Sequence, residues 1–240
     1  MWDPAVYGRF GAERSRPFLD LVARIGAEHP RAVTDLGCGP GDLTRTLAGR
    51  WPGARVTGID SSPEMIEKAG PGFRLGDIAD WHPEPDVDVV VTNAALQWVP
   101  GHPEMLARWA RELPSGAWIA MQVPGNFDSP AHRAARELSP VELRADPVLD
   151  AAGYAEVLAG TTVDAWETTY LHLLPADPGA DHPVLRWIEG TALRPVRAAL
   201  DDERWAAFRA ALAPRIAEAY PERHGLVAFP FRRIFVVATT

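Results

Sequence analysis

The run Asp35-Leu36-Gly37-Cys38-Gly39-Pro40-Gly41 places three glycines at alternate positions, and no other stretch of the chain limits its fold so strongly. Upstream, Ala32-Val33-Thr34-Asp35-Leu36 is a short apolar run; downstream, Asp42 to Trp51 carries Leu43 and Leu47 one helical turn apart. The order is strand, tight turn, helix. Glycines in such a turn let a ligand reach the backbone without meeting a Cβ, and the start of the following helix offers unpaired N–H groups to an anion. Arg55 to Ile59 then rises as a β-branched strand. It closes on Asp60, about 20 residues beyond the glycines, where a carboxylate can accept both hydroxyls of an adenosine ribose. Ser62 followed by Pro63 and Glu64 signals the next helix start. A third, weaker strand, Phe73 to Leu75, ends at Gly76-Asp77; Asp77 can meet an exocyclic adenine amine and Ile78 can lie on the ring. Three successive strand ends point at one adenosine.

Val87 to Thr92 is a nearly continuous apolar run, suited to a strand buried on both faces of a parallel sheet. A helix from about Glu104 to Glu112 and a fifth strand from Gly116 to Val123 continue the alternation, which predicts a doubly wound α/β sheet. Ahead of the first strand, Phe18, Leu21, Val22 and Ile25 fall at helical spacing. After Val123 the rhythm stops. Residues 125 to 160 are rich in Pro, Ala and Asp with no clean period, and Asp164 to Leu174 alternates like a longer strand. Leu185 and Ile188, then Trp205, Phe208, Leu212 and Ile216, make helical stripes before Phe231 to Ala238 closes the chain as a β-rich run. No internal repeat or long linker divides it. Residues 1–240 are therefore expected to form one domain, with a core of about 30–123, 163–174 and 231–238. The cap is expected to be helical and to come from 1–29, 125–162 and 175–230.

Charge and composition narrow the partners. A formal net charge of -8 gives no basic face for a phosphate backbone, so no nucleic-acid ligand is expected. Lys68 is the only lysine among 24 basic residues, so arginine usage by itself carries no functional meaning. No stretch approaches the roughly 18 apolar residues of a membrane span, and Met1-Trp2-Asp3-Pro4 lacks the basic start of a secretory signal, which together predict a cytosolic chain. Cys38 is the single cysteine, and the histidines lack HExxH or CxxC partners, so neither an intramolecular disulfide nor a protein-bound metal is expected. Monomer and homodimer both remain open.

The glycine spacing bears on the cofactor. A nicotinamide dinucleotide favours GxGxxG at the helix start, whereas this chain reads GxGxG followed by Asp42. An acid at the mouth of that helix is a poor neighbour for a pyrophosphate. A sulfonium ligand with an amino-acid tail carries positive charges as well as a carboxylate, so the spacing favours S-adenosylmethionine. A dinucleotide-dependent oxidoreductase and a non-catalytic binder of S-adenosylmethionine stay as competing readings. Asn93, at the end of the fourth strand, stands where open parallel sheets bind ligands, and its amide can contact the methionine portion.

The runs Val33-Thr34-Asp35-Leu36-Gly37-Cys38-Gly39-Pro40-Gly41 and Gly58-Ile59-Asp60-Ser61-Ser62-Pro63-Glu64-Met65 resemble the first two motifs of class I methyltransferases. Five further runs are similar to the trans-aconitate methyltransferases. They are Ala12-Glu13-Arg14-Ser15-Arg16-Pro17, Asn93-Ala94-Ala95-Leu96-Gln97-Trp98-Val99-Pro100, Thr168-Thr169-Tyr170, Gly190-Thr191-Ala192-Leu193-Arg194-Pro195 and the ending Ala228 to Ala238. The resemblance implies a Rossmann-like class I fold with a seven-stranded, mostly parallel sheet and a helical cap. It also implies methyl esterification of a carboxylate of trans-aconitate, a small tricarboxylate, with S-adenosylhomocysteine as the other product.

The implied cofactor contacts are Asp35, Gly37, Cys38, Gly39, Asp60, Ser61, Asp77, Ile78 and Asn93. A carboxylate is already ionised at pH 7, its reference pKa being about 4, so no catalytic acid–base residue is expected. The carboxylates that do not react need partners, and the planar guanidinium binds them bidentately. Arg14, Arg16, Arg194, Arg232 and Arg233 lie in the matching runs. Tyr7, Tyr170 and His172 add hydrogen bonds, with Tyr170 and His172 two apart on one strand face. Gln97 and Trp98 resemble the donors that hold the reacting carboxylate in related carboxyl methyltransferases, and Trp187 is a further pocket residue. The alternative acceptor is another organic acid or a natural-product hydroxyl; a hydroxyl needs a base, for which His172 is the first choice.

Overall fold

Burial on both faces selects the centre of the sheet. β1 (Ala32–Leu36) is buried at all five positions, and in β4 (Val87–Asn93) Val87, Val89, Val90 and Val91 are at most 1% exposed. That is the environment that demands uninterrupted apolar runs. The structure, a computed structural model, describes residues 11–145 and 148–240, with side chains from Ser15 onward. Around β1 and β4 stand β2 (Arg55–Asp60), β3 (Phe73–Leu75), β5 (Trp118–Pro124), β6 (Thr162–Pro175), β7 (Glu222–Arg223) and β8 (Leu226–Thr239). The order is β3-β2-β1-β4-β5-β8-β6, with the two-residue β7 paired to β8. The first five strands are parallel, and β8 runs antiparallel to β5 with Gln122 opposite Phe235 and Pro124 opposite Arg233. This is the expected mostly parallel, Rossmann-like sheet, a path of seven strands with one short addition.

The helices after the glycine turn and after Ser62 begin where the sequence signals them, whereas the entry helix starts at Gly11 and ends at Val22, earlier at both ends than the stripe from Phe18 to Ile25 indicates. α1 (Gly11–Val22) is followed by α2 (Asp42–Arg50) after the glycine turn, α3 (Pro63–Ala69), and α4 (His102–Glu112) between β4 and β5. Ser62 caps α3, its Oγ accepting from the Met65 N–H at 3.3 Å. Phe18, Leu21, Val22 and Ile25 are all buried, as their spacing requires. The stretch without a legible period contains α5 (Pro130–Leu138) and α6 (Ala151–Val157). α5 is nonetheless periodic: Ala131, Ala134 and Ala135 are buried and Leu138 packs against the same cluster, at i, i+3, i+4 and i+7, a stripe of mostly small residues that the Pro-, Ala- and Asp-rich composition of the stretch masks. α7 (Pro183–Glu189), α8 (Arg194–Ala199) and α9 (Asp202–Ala219) follow β6. β8 begins at Leu226, five residues before the expected start, because Val227, Phe229 and Phe231 alternate buried with exposed Leu226, Ala228 and Pro230.

The chain divides into two compact units. One comprises Arg14–Pro124, Val148–Thr168 and Arg233–Thr240. Its core includes Leu36, Val90, Leu106, Trp109, Ile119, Met121, Tyr154 and Val236. The other is built from Thr169–Arg232 with the stretch that begins at Gly125, around Trp187, Leu193, Leu212, Ile216 and Phe229. β6 and β8 each contribute residues to both.

Candidate active site

The strand order reverses at β1: the chain steps outward through β2 and β3, then returns to place β4 on the other side. Ligands of open α/β sheets bind outside the carboxyl ends at such a reversal. Here the loops after β1 and β4 meet closely. A Cβ on Gly37 (φ 79°) would lie 2.3 Å from the Ala95 Cβ and 3.4 Å from the Ile78 Cδ1. Gly41 (φ 81°) is similarly crowded, by the Phe73 ring at 2.4 Å. Gly39 (φ 55°) differs, because a Cβ there would meet nothing within 4 Å among the described residues. Two glycines serve close packing, and the middle one faces open space.

Asp60 ties this turn to the end of β2. Its Oδ2 accepts from the Gly39 N–H and its Oδ1 from the Ser62 N–H, both at 2.9 Å. A carboxylate offers about four lone-pair sites, so each oxygen keeps capacity for a further donor. Gly37 and Cys38 donate their N–H groups to the Ile59 carbonyl at 2.8 and 3.1 Å, which fixes the loop from the other side. Asp77 is exposed; its Oδ1 accepts from the Ala79 N–H, and Ile78 is buried beside the glycine turn. Ser61 is exposed, the capping role falling to Ser62. Cys38 is buried, and that burial pushes its thiol well above the ordinary value, so it is a packing residue rather than a nucleophile. Asp42, exposed at the mouth of α2, pairs with Arg45 at 3.2 Å. The Asn93 Oδ1 is buried with no partner. An open glycine face, a half-satisfied carboxylate and an orphaned amide oxygen fit a nucleoside bearing an ammonium-containing tail.

Asp35 turns the other way, into the protein. It is 2% exposed, and its Oδ2 accepts from the Thr44 hydroxyl of α2 at 2.6 Å. Burial pushes its carboxyl up to about 7; the Thr44 hydrogen bond opposes the shift and the Asp60 charge adds to it. A folded-state value above the unfolded one, about 4, means the folded chain holds a proton that the unfolded chain releases. Stability should therefore fall as pH rises from about 4 to about 7. We expect Asp35→Asn, which keeps an oxygen for Thr44, to melt higher than the parent at pH 8 and nearly with it at pH 4.5 in the absence of ligand. Parallel melting curves across that range would count against a proton on Asp35.

Of the residues implied for the acceptor, Tyr7 lies outside the described residues, as does the side chain of Arg14. In the unit holding the glycine turn, Arg16 is exposed and stands 3.7 Å from Asp20. Gln97 is buried and its Nε2 donates to the Ala94 carbonyl at 2.6 Å, while Trp98 is 55% exposed. Arg233 is buried, its Nη1 donating to the Gln122 Oε1 at 3.4 Å. In the other unit, Tyr170 and His172 are both buried on one face of β6, and His172 stacks on Trp187 with ring centroids 5.1 Å apart. Arg194 is exposed at the first position of α8 with no ion-pair partner among the described residues, and Arg232 is half-buried. That unit also carries an open groove of about 790 Å³ lined by Asn126, Ser129, Thr169, Tyr220, His224 and Arg232. Sequence reasoning missed Gln122, which is fully buried with its Nε2 unpartnered. The available signal was a lone glutamine inside the apolar run of β5. Among the described residues no group of three or more His, Cys, Asp or Glu side chains could hold a metal ion, and no helix is long and apolar enough to cross a membrane.

A family model described as a methyltransferase domain matches residues 10–155. Trans-aconitate 2-methyltransferase of Mycolicibacterium gilvum is 56% identical over 99% of this chain and 98% of its own length. The protein of the same name from Rhodococcus jostii is 55% identical over 99% of both. Among solved structures, Haemonchus contortus phosphoethanolamine N-methyltransferase 2 in complex with S-adenosyl-L-methionine aligns with a TM-score of 0.55 at 15% identity. The alignment covers 93% of this chain and 52% of that one, a likeness of fold.

Proposed function

This chain belongs to the methyltransferase family that includes the trans-aconitate 2-methyltransferases, and from that premise we propose that it methylates a carboxylate of trans-aconitate with S-adenosylmethionine, giving a monomethyl ester. The observation that carries this reading is end-to-end identity above one half with enzymes of that name, supported by a glycine turn tied to Asp60 at the end of β2. When bound, S-adenosylmethionine supplies an electrophilic methyl group on a sulfonium. The Asp60 oxygens would accept the ribose hydroxyls, Ile78 and Asp77 would meet the adenine, the open face of Gly39 would let the tail lie against the backbone, and Asn93 Oδ1 would accept from the ammonium.

No residue need remove a proton, because the acceptor oxygen is ionised at neutral pH. The protein's task is then to hold that oxygen in line with the methyl group and to exclude water, and orientation of this kind can supply roughly 7 to 11 kcal/mol. A single buried thiol, Cys38, is consistent with a cytosolic working place. Incubation with S-adenosylmethionine and a panel of di- and tricarboxylates, followed by mass spectrometry, tests the proposal: a singly methylated trans-aconitate is expected, and its absence while another acid or a hydroxyl compound is methylated would replace the acceptor. Arg194→Ala should raise the trans-aconitate KM about tenfold or more, the worth of a charge-assisted hydrogen bond, with S-adenosylhomocysteine affinity unchanged. Equal loss of both would make Arg194 structural.

A further inference from the structure

The register of three strands assembles a polar strip that no motif announces. Asn93 of β4 stands opposite Gln122 of β5, and two residues further along β5 Pro124 stands opposite Arg233 of β8. Paired residues share a sheet face, and so do residues two apart, so Asn93, Gln122 and Arg233 line one face near the carboxyl ends of β4 and β5. Gln122 is 0% exposed, and its Oε1 accepts from Arg233 Nη1, which sets the amide's orientation and leaves the Nε2 hydrogens without a partner. On the neighbouring strand the buried Asn93 Oδ1 also has none. Orphaned buried polar atoms are rare, and a donor beside a guanidinium followed by an acceptor is a specific pattern. The donor and cation suit a carboxylate; the acceptor suits an ammonium.

We propose that Gln122, together with Arg233, seats a carboxylate of the acceptor acid, while Asn93 holds the ammonium of the methyl donor. The proposal rests on the methyltransferase reading above. A donor extending from Asp60 on β2 across β1 to Asn93 on β4 already spans two strand spacings, roughly 10 Å, and Gln122 stands one spacing beyond its tail. The strip therefore ranks the two ligands side by side: the donor's charged end on β4, the acid on β5. Gln122 is a specificity-determining contact, since its NH2 donor beside the Arg233 guanidinium makes stronger, charge-assisted bonds to an ionised carboxylate than to a neutral hydroxyl of similar size.

Calorimetry separates the two ligands: S-adenosylhomocysteine is titrated into the free chain, then trans-aconitate into the chain already loaded with it. Gln122→Met conserves volume and deletes the donor. Gln122→Glu keeps an oxygen for Arg233 Nη1, which protects the fold, but turns the donor into a like charge. Trans-aconitate affinity should fall at least about tenfold in Gln122→Met and further in Gln122→Glu, with S-adenosylhomocysteine affinity within threefold of the parent. Unchanged trans-aconitate affinity in both variants would overturn the seat, as would a loss confined to S-adenosylhomocysteine, which would reassign the strip to the donor's own carboxylate. If the parent chain binds S-adenosylhomocysteine but no trans-aconitate, the acceptor reading falls first and the seat assigned to that acid falls with it.

Discussion

Asp60→Ala is expected to weaken S-adenosylhomocysteine binding at least about 100-fold, since two charge-assisted hydrogen bonds to a ribose are worth roughly 1.5–3 kcal/mol each. The structure adds a second component to that loss. The Asp60 carboxylate also accepts from the Gly39 and Ser62 N–H groups, so its removal releases the glycine turn as well as the ribose contact. Asp60→Asn should fall between the parent and Asp60→Ala. The amide can accept through one oxygen only, and its NH2 must face either a backbone N–H or a hydroxyl's lone pairs. Calorimetric affinity of Asp60→Ala within threefold of the parent would remove the ribose from Asp60 and dismantle the adenosine placement built on it.

The architecture that this placement rests on, a glycine turn between β1 and α2 with Asp60 at the end of β2, was legible in the sequence because each part left a local mark. Glycine spacing, an acid about 20 residues on, and a Ser-Pro-Glu helix start are short-range signals, and the two central strands β1 and β4 are the nearly continuous apolar runs that burial on both faces requires. Ser62 caps α3 as its sequence context implies, and the five parallel strands follow in the predicted chain order. What remained hidden follows from different physics. α5 packs through Ala131, Ala134, Ala135 and Leu138, a regular helical stripe whose three alanines bury little area each, so that it reads as composition rather than as a core face. Gln122 left a signal, but one that sequence alone does not interpret. A polar side chain inside a buried strand looks like an interruption of the pattern, and only the register with Asn93 and Pro124–Arg233 makes it part of a strip.

The acceptor contacts show the limit most plainly. Arg194, Arg232 and Arg233 are one residue type at three levels of burial, from exposed to 6% accessible, and composition gives them equal standing. A guanidinium buried beside a carboxamide in the sheet is chemically distinct from one at the start of a surface helix, but that distinction is created by strand register, not by neighbours in sequence. Asp35 is a second instance. It reads as a ligand residue from its position beside the glycines, whereas its carboxyl is buried and accepts from the Thr44 hydroxyl of α2, a setting that burial makes favourable to the protonated form.

Two glycines separated by one residue should respond to the same substitution in opposite ways. A Cβ at Gly37 would lie 2.3 Å from the Ala95 Cβ, and since neither atom can rotate away, the loops after β1 and β4 must separate. Overpacking together with a strained positive φ costs about 3 kcal/mol, which for a chain of this size lowers Tm by about 6 to 12 °C. Gly39→Ala places its methyl group where, among the described residues, no atom beyond its chain neighbours lies within 4 Å, so thermal stability should drop only by the modest cost of a left-handed alanine, about 1 to 2 kcal/mol. Its affinity for S-adenosylhomocysteine should nevertheless fall at least about tenfold, because the methyl group occupies the space through which the ligand approaches the backbone. Melting curves and calorimetry on both variants read the two outcomes separately. A Gly39→Ala chain that binds as tightly as the parent would show that the open face is not where the ligand lies. A Gly37→Ala chain with an unshifted Tm would mean that the loops after β1 and β4 do not form the close contact on which the switch-point crevice depends.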